Sequence, residues 1–230
     1  MDSMLEKLMA LPLFSGVTKK RMAETVGNAK FHFLKYLAGD RLIAEGETCT
    51  HIKFILSGQV RLTIHNADKR FAVQQTLTGP DVICPDYLFG RHTYYPCEAV
   101  AIDAANIVQV SKTDYLNILN SDPVFMLNYL NHLSSDAQKT IDGVMSITFR
   151  SLEERIALWI ACLTQPRATD IVLAARHRDL CTVFAVQRNS FNAALDSLCE
   201  RGLITVGPNQ IMVTDRRAII SILTHDAHHD

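Results

Sequence analysis

The chain has 230 residues, 48% of them apolar and 20% charged, with a formal net charge of -1 at pH 7. That mixture can bury a sizeable core and excludes a disordered chain, and its near-neutrality excludes a protein that coats a polyanion by bulk charge. No apolar run approaches the roughly 20 residues of a membrane span, and the opening residues lack a basic stretch followed by an apolar one, so a soluble cytoplasmic protein is expected.

From about Phe31 to Val110 the pattern is β. Gln59–His65 alternates apolar and polar residues, Arg70–Gln74 does so more weakly, and Asn106–Val110 reads as another half-buried strand. Turn signals separate these strands at Ala38-Gly39-Asp40, Glu45-Gly46-Glu47, Ser57-Gly58, Asn66-Ala67-Asp68 and Thr78-Gly79-Pro80-Asp81. Short strands at this spacing predict an antiparallel roll or barrel.

Ser121-Asp122-Pro123 is a helix start, since Ser or Asp can cap free amides and Pro fits the first turn. Beyond it Leu130, Ala137, Ile141, Val144 and Thr148 follow mostly four-and-three spacing, the seam of a helix that pairs with another; Ser134 and Thr148 dilute it. The position of this seam between two domains points to a dimer interface.

A third segment opens at Ser151 with an amphipathic helix that stops near Pro166. Further on, Leu180, Val183 and Phe184 form one apolar helix face, and Phe191, Ala194, Leu195 and Leu198 form another. Ala185-Val186-Gln187 leaves room only for a tight turn between crossed helices. Gly202 suits a helix end, and Leu203–Val206 and Gln210–Val213 flank Gly207-Pro208-Asn209 as a hairpin. Helix, turn, helix and wing in this order predict a winged helix-turn-helix, in an α+β protein overall.

The N-terminal turn of a recognition helix enters the major groove first. Arg188 can fork onto guanine and Asn189 onto adenine, with Asn192 on the same outward side. Ser190 and the first amides of the helix suit a phosphate. Arg176, Arg178, Arg201, Arg216 and Arg217 add phosphate contacts, with Asp179, Asp196, Glu200 and Asp215 interleaved among them.

In this order of parts the chain resembles the cAMP receptor protein/FNR (Crp/Fnr) family of bacterial transcription regulators over nearly its whole length. The resemblance rests on Leu42-Ile43-Ala44-Glu45-Gly46-Glu47, on His51 through Leu62, and on Leu180 through Ile204. It implies three parts. Residues 1–119 would form a cyclic-nucleotide-binding-like β-roll (jelly roll), 120–150 a dimerisation helix and 151–230 the DNA-binding domain. The partners it implies are double-stranded DNA, a second copy of the chain, an unidentified small-molecule effector and RNA polymerase, and it implies no enzyme activity.

Two departures stand out. In the recognition helix Arg188 keeps the first position, while Asn189 replaces the family's Glu and Ala193 its later Arg, so the operator differs. In the effector cassette, cAMP binders have Gly-Glu-Leu and then, past a Leu-Phe pair, Arg-Ser. This chain keeps Leu88-Phe89 but has Cys84-Pro85-Asp86 and Tyr95-Pro96 around them. Pro96 has no amide proton, the phosphate-pairing Arg is missing, and the charge of Arg91 alone does not rebuild a cradle. Tight cAMP binding is therefore not expected; the aromatic group Tyr87, Phe89, Tyr94 and Tyr95 lines the pocket or plugs it.

No cofactor is expected either. An FNR-type iron–sulfur cluster needs N-terminal thiolates, and no Cys precedes Cys49. Haem ligands would be His92, His51 or Cys84, but a His in a roll is more often a hydrogen-bonded structural residue. Cys49, Cys84, Cys97, Cys162, Cys181 and Cys199 contain no Cys-x-x-Cys pair and read as reduced, mostly buried thiols. No metal site is read; His225, His228 and His229 in the tail suit only adventitious binding. Two alternatives stay open: a cupin-like metal-binding protein, although its His-x-His is not found, and a partner-binding module of the same fold that does not bind DNA.

Overall fold

A computed structural model describes residues 2–145 and 151–223. Packing divides the chain into two units, Met1–Arg61 with Leu77–Ala137, and Leu62–Thr76 with Gln138–Asp230.

The first unit opens with α1 (Asp2–Met9), a 3-10 turn at Pro12–Phe14, and α2 (Lys19–Asn28), capped by Thr18. The strands follow: β1 (Phe31–Tyr36), β2 (Arg41–Ile43), β3 (His51–Ser57), β4 (Gln59–His65), β5 (Ala72–Thr78), β6 (Asp81–Ile83), β7 (Cys97–Ala101) and β8 (Ala105–Ser111). One antiparallel sheet has the order β1-β8-β3-β6, with Phe31 opposite Val110 and Phe54 opposite Val108. In the other, β2 pairs antiparallel with β7. The alternation read in the sequence is the alternation of burial: Val60 is buried and Arg61 exposed on β4. The weaker Arg70–Gln74 pattern is displaced, for β5 begins at Ala72 and runs to Thr78.

Gly58 joins β3 to β4 at φ +90°, and a Cβ there would lie 2.6 Å from Ala105 Cα. No other residue fits that turn without moving β8.

After β8 come α3 (Lys112–Ser121), capped by Ser111, and α4 (Pro123–Met145), where Asp122 Oδ1 accepts from Val124 N at 2.9 Å. The predicted helix start is therefore real, with Asp122 as the capping residue and Ser121 ending the helix before. Phe125 and Tyr129 are the buried side of α4; Phe125 meets Phe14 edge to face at 5.6 Å, and Phe14 meets Phe54 at 5.1 Å.

In the second unit α5 (Leu152–Leu163) starts with a capping box, Glu154 N donating to Ser151 Oγ and Ser151 N to Glu154 Oε2. Then follow β9 (Thr169–Ala174), α6 (His177–Phe184), α7 (Arg188–Glu200), β10 (Ile204–Gly207), β11 (Gln210–Val213) and α8 (Arg216–Ser221). The predicted wing is β10 with β11, Gly207 opposite Gln210 across Pro208-Asn209. β11 also pairs with β9, and β9 with β5, Val73 opposite Leu173. Residues 62–76, most of the β4–β5 hairpin, are part of this second unit, Phe71 lying 5.1 Å from Trp159.

Among the described residues no helix is long and apolar enough to cross a membrane. Thr148, His225, His228 and His229 lie outside the described residues.

Candidate nucleic-acid interface and effector cassette

The corner between α6 and α7 is built by the backbone. Ala185 sits in the left-handed region (φ 52°, ψ 46°); its N–H donates to Thr182 O and that of Val186 to Cys181 O, which satisfies the last carbonyls of α6. Leu180 and Phe184 enter the core, and Phe184 stacks on Phe191 at 5.9 Å. Val183, grouped with them on periodicity, is instead 62% exposed. It lies to one side of the Leu180–Phe184 line on a helix of only 8 residues, so the corner turns it to solvent. The second apolar set is as read: Phe191, Ala194, Leu195 and Leu198 are all buried.

The other side of α7 is open. Arg188, Asn189, Ser190 and Ala193 are exposed and Asn192 is half-buried. Gln187 makes no side-chain cap, and the first intrahelical bond into this turn is Phe191 N to Gln187 O at 3.0 Å. The amides of residues 188–190 therefore have no acceptor within the helix, and no acidic side chain occupies the first turn. Such an end attracts anions.

Arg176 and Arg178 stand exposed at the start of α6, with Asp179 between them at 3.9 and 3.8 Å. Arg201 and Arg217 are exposed as well. Arg216 differs from expectation: it donates to Thr164 Oγ1 at 2.8 Å, Ala161 O at 3.0 Å and Thr164 O at 3.1 Å, closing the C-terminal end of α5. Its guanidinium is a helix cap rather than a phosphate ligand. Sequence reading also passed over Arg155, which donates to Phe184 O at 2.6 Å and lies over the Phe184 ring, bracing the corner from α5. Nothing local to Arg155 reveals this, because its partner is brought by the fold.

In the roll, the cassette positions Pro85, Leu88 and Tyr95 are turned inward. Cys84 adopts φ 43°, and Pro85–Tyr87 forms a 3-10 turn with Pro85 buried. Leu88 is buried, Phe89 half-buried, and Asp86 and Arg91 exposed. Tyr95 is 1% exposed; its hydroxyl donates to His51 O at 2.7 Å and its N–H to Glu47 O at 2.9 Å. Burial, with the Cys49 thiol beside it, raises the Tyr95 phenol well above its ordinary value, so it remains a donor. Pro96 follows, half-buried and without an N–H. Of the four aromatics read as a group, Tyr94 is 56% exposed and Tyr95 internal. Tyr115 and Tyr129, which the sequence did not single out, complete the set: Phe89 meets Tyr129 at 5.8 Å, and Tyr129 meets Tyr115 at 5.7 Å. Their signal was hidden because both lie on helices outside the β-region.

The cysteines are free thiols, Cys49, Cys84 and Cys97 buried and the others half-buried. Cys84 Sγ and Cys97 Sγ are 3.7 Å apart, and this contact together with burial holds the Cys84 thiol well above its ordinary pKa. His51 Nδ1 hydrogen-bonds with Thr50 Oγ1 at 2.8 Å, and His92 is exposed.

On α4, Leu130, Ala137 and Ile141 are exposed, as is Leu127 one step earlier on the same spacing; Val144 continues the helix. Leu127, Leu130, Ala137 and Ile141 form an apolar stripe on a different side from the buried Phe125 and Tyr129.

Residues 33–122 match the cyclic nucleotide-binding domain family. Over 211 residues, 89% of this chain and 93% of the relative, the chain is 22% identical to the cyclic AMP receptor protein of Thermus thermophilus. Residues 33–122 thus carry the cyclic nucleotide-binding domain, and the chain as a whole is similar to this receptor protein. In fold, the chain is similar to the catabolite activator protein of Thermus thermophilus, with a TM-score of 0.53 at 19% identity over 93% of this chain and 98% of that one. It is also similar to the sensor domain of the transcriptional regulator DNR of Pseudomonas aeruginosa, with a TM-score of 0.52 at 17% identity over 61% of this chain and 93% of that one.

Proposed function

We propose that the chain is a sequence-specific DNA-binding transcription regulator of the Crp/Fnr type acting as a homodimer, with residues 1–119 as sensor roll, 120–150 as dimerisation helix and 151–230 as DNA-binding domain. The observation that carries the reading is the first turn of α7. Three amides without helix acceptors, together with exposed Arg188, Asn189 and Ser190, project from a helix whose opposite side is locked into the core. Arg188 and Asn189 read base edges, with Asn192 flanking; Ser190, Arg176 and Arg178 hold phosphates. The apolar stripe of Leu127, Leu130, Ala137 and Ile141 is covered by a second copy, Val144 and Thr148 following on the same spacing in the sequence, and homodimers are typical of the Crp/Fnr family. Two recognition helices then address half-sites about 34 Å apart.

Selection of fragments from a random DNA pool should return a two-fold-related site. Arg188→Ala should then weaken discrimination at one G·C pair by about 1–3 kcal/mol while leaving other positions alone. Equal loss on all sequences would make Arg188 a phosphate contact, and recovery of no preferred sequence would support the partner-binding alternative.

The same reading holds that the roll does not bind cAMP tightly, because the amide and side chain of Tyr95 already have partners inside the roll and Pro96 has no donor. Calorimetric titration of the full chain with cAMP and with cGMP should give no saturable heat at micromolar concentrations. A saturable isotherm in that range would refute it.

A further inference from the structure

Asp86, in the 3-10 turn that replaces the usual cassette, does not stand apart from the rest of the unit. Tyr129 on α4 donates its hydroxyl to Pro85 O at 3.0 Å, which fixes that turn against the helix. His132 and Asp136 follow Tyr129 at the third and seventh positions along α4 and so share its face. The donor atoms of Asp86, His132 and Asp136 all lie within 4.8 Å of one another. His132 Nε2 is buried and makes no hydrogen bond, although Asp136 Oδ2 stands 3.3 Å away.

This is the donor set of a cation site. A tetrahedral ion with bonds of about 2.0–2.2 Å holds its ligands about 3.3–3.6 Å apart. The His132–Asp136 separation is already such an edge, and Asp86, on an exposed turn within 4.8 Å of both, closes the remaining gap by a small movement. One neutral imidazole and two carboxylates supply two negative charges, which balance a divalent ion. Imidazole favours zinc and its first-row neighbours over calcium and magnesium, which prefer all-oxygen shells. A buried imidazole nitrogen without a hydrogen bond is better matched to a metal than to water.

We propose that Asp86, His132 and Asp136 form a binding site for a divalent first-row transition cation, with the remaining coordination positions taken by water. Only the His132–Asp136 pair, four residues apart on α4, has a spacing visible in the sequence; Asp86 joins it through the fold. A bound ion would cross-link the cassette turn to α4, the helix that carries the exposed apolar stripe. The assignment does not depend on DNA binding.

The test is calorimetric titration of the full chain with Zn2+, in a background where His225, His228 and His229 are all replaced by Ala to remove the tail imidazoles. One Zn2+ per chain is expected, with no displacement by millimolar Ca2+ or Mg2+. His132→Ala should weaken binding by at least about 100-fold and Asp86→Asn by about 10-fold or more. Asp86 is exposed, so Asp86→Asn leaves the fold intact and keeps the result interpretable if His132→Ala is poorly stable. Zn2+ should also raise the melting temperature of the background protein and not that of Asp86→Asn. If binding disappears with the tail histidines, survives both substitutions unchanged, or yields to Mg2+, the residues form only an ordinary helical His–Asp pair and the assignment fails.

Discussion

The start of α7 and the cassette of the roll both present polar groups where the chain leaves regular structure, but their hydrogen-bonding states are opposite. At α7 the first amides lack helix acceptors, the side chains around them are exposed, and the helix is held by an aromatic core from Trp159 through Phe184 to Phe191. At the cassette, Tyr95 gives its amide to Glu47 and its hydroxyl to His51, and the Pro85 carbonyl accepts from Tyr129. A ligand gains little by displacing bonds already made, and much by meeting donors that lack partners. The difference explains how one chain can keep the shape of a cyclic nucleotide-binding domain while its unpartnered backbone donors stand at the start of α7.

The strongest way to break the comparison is Tyr95→Ala. If Tyr95 seals the roll, removing it should cost about 3–5 kcal/mol, as for other large buried aromatics, and leave the His51 carbonyl without its donor. Chemical unfolding measures the loss. The variant should still give no cAMP isotherm, since position 95 would keep its amide bonded to Glu47 and Pro96 would remain. A loss under about 1 kcal/mol, or the appearance of micromolar cAMP binding, would show that the cassette is an open pocket merely occupied by a side chain.

Lys53 sharpens the same side. It is buried on β3, 3.3 Å from Gln109 Oε1 and 5.5 Å from the Tyr95 ring centre, and burial lowers its pKa from the ordinary lysine value. The unfolded chain therefore binds this proton more readily than the folded one. Stability contributed at this position rises with pH, from the lowered folded value up to the unfolded value near 10.5. Lys53→Met should accordingly stabilise the protein by about 1 kcal/mol at pH 7, and the advantage should shrink as pH approaches 10.5. Paired denaturant titrations at pH 7 and pH 10 read the difference. A destabilisation at pH 7 would mean that the ammonium is held by more than Gln109 and the tyrosine ring.

Much of this was legible in the residues, and the exceptions have a common cause. Strand β4 has the bounds of the alternating segment Gln59–His65, the wing turns at Pro208-Asn209, and the buried side of α7 is the set its 3.6-residue period selects. These are local patterns, written by one element alone. Strand β9 was missed because Thr169–Ala174 carries only two buried positions, Ile171 and Leu173, and its place is set by β5 and β11 rather than by its own pattern. Arg216 was read as a surface cation because periodicity reports which side a residue occupies and not which carbonyls wait there. Tyr115, Tyr129 and Arg155 likewise acquire their roles from partners distant in sequence. The outward face of the candidate interface could be read directly; the brace behind it and the seal of the roll could not.

The smallest expected effect tests the corner itself. Ala185 is exposed and holds a left-handed conformation that costs a residue with a Cβ about 1–2 kcal/mol, in a cap motif that usually employs glycine. Ala185→Gly removes that strain and loses no packing, but it also frees the unfolded chain, which returns about 0.4–1 kcal/mol. The net should be a stabilisation of about 0.5–1 kcal/mol, seen as a small rise in melting temperature, with the selected DNA sequence unchanged. A fall in stability would mean that the unfolded-state term outweighs the strain. An altered DNA preference at constant stability would mean instead that the angle between α6 and α7 depends on the stiffness of this residue, making Ala185 part of how Arg188 is aimed.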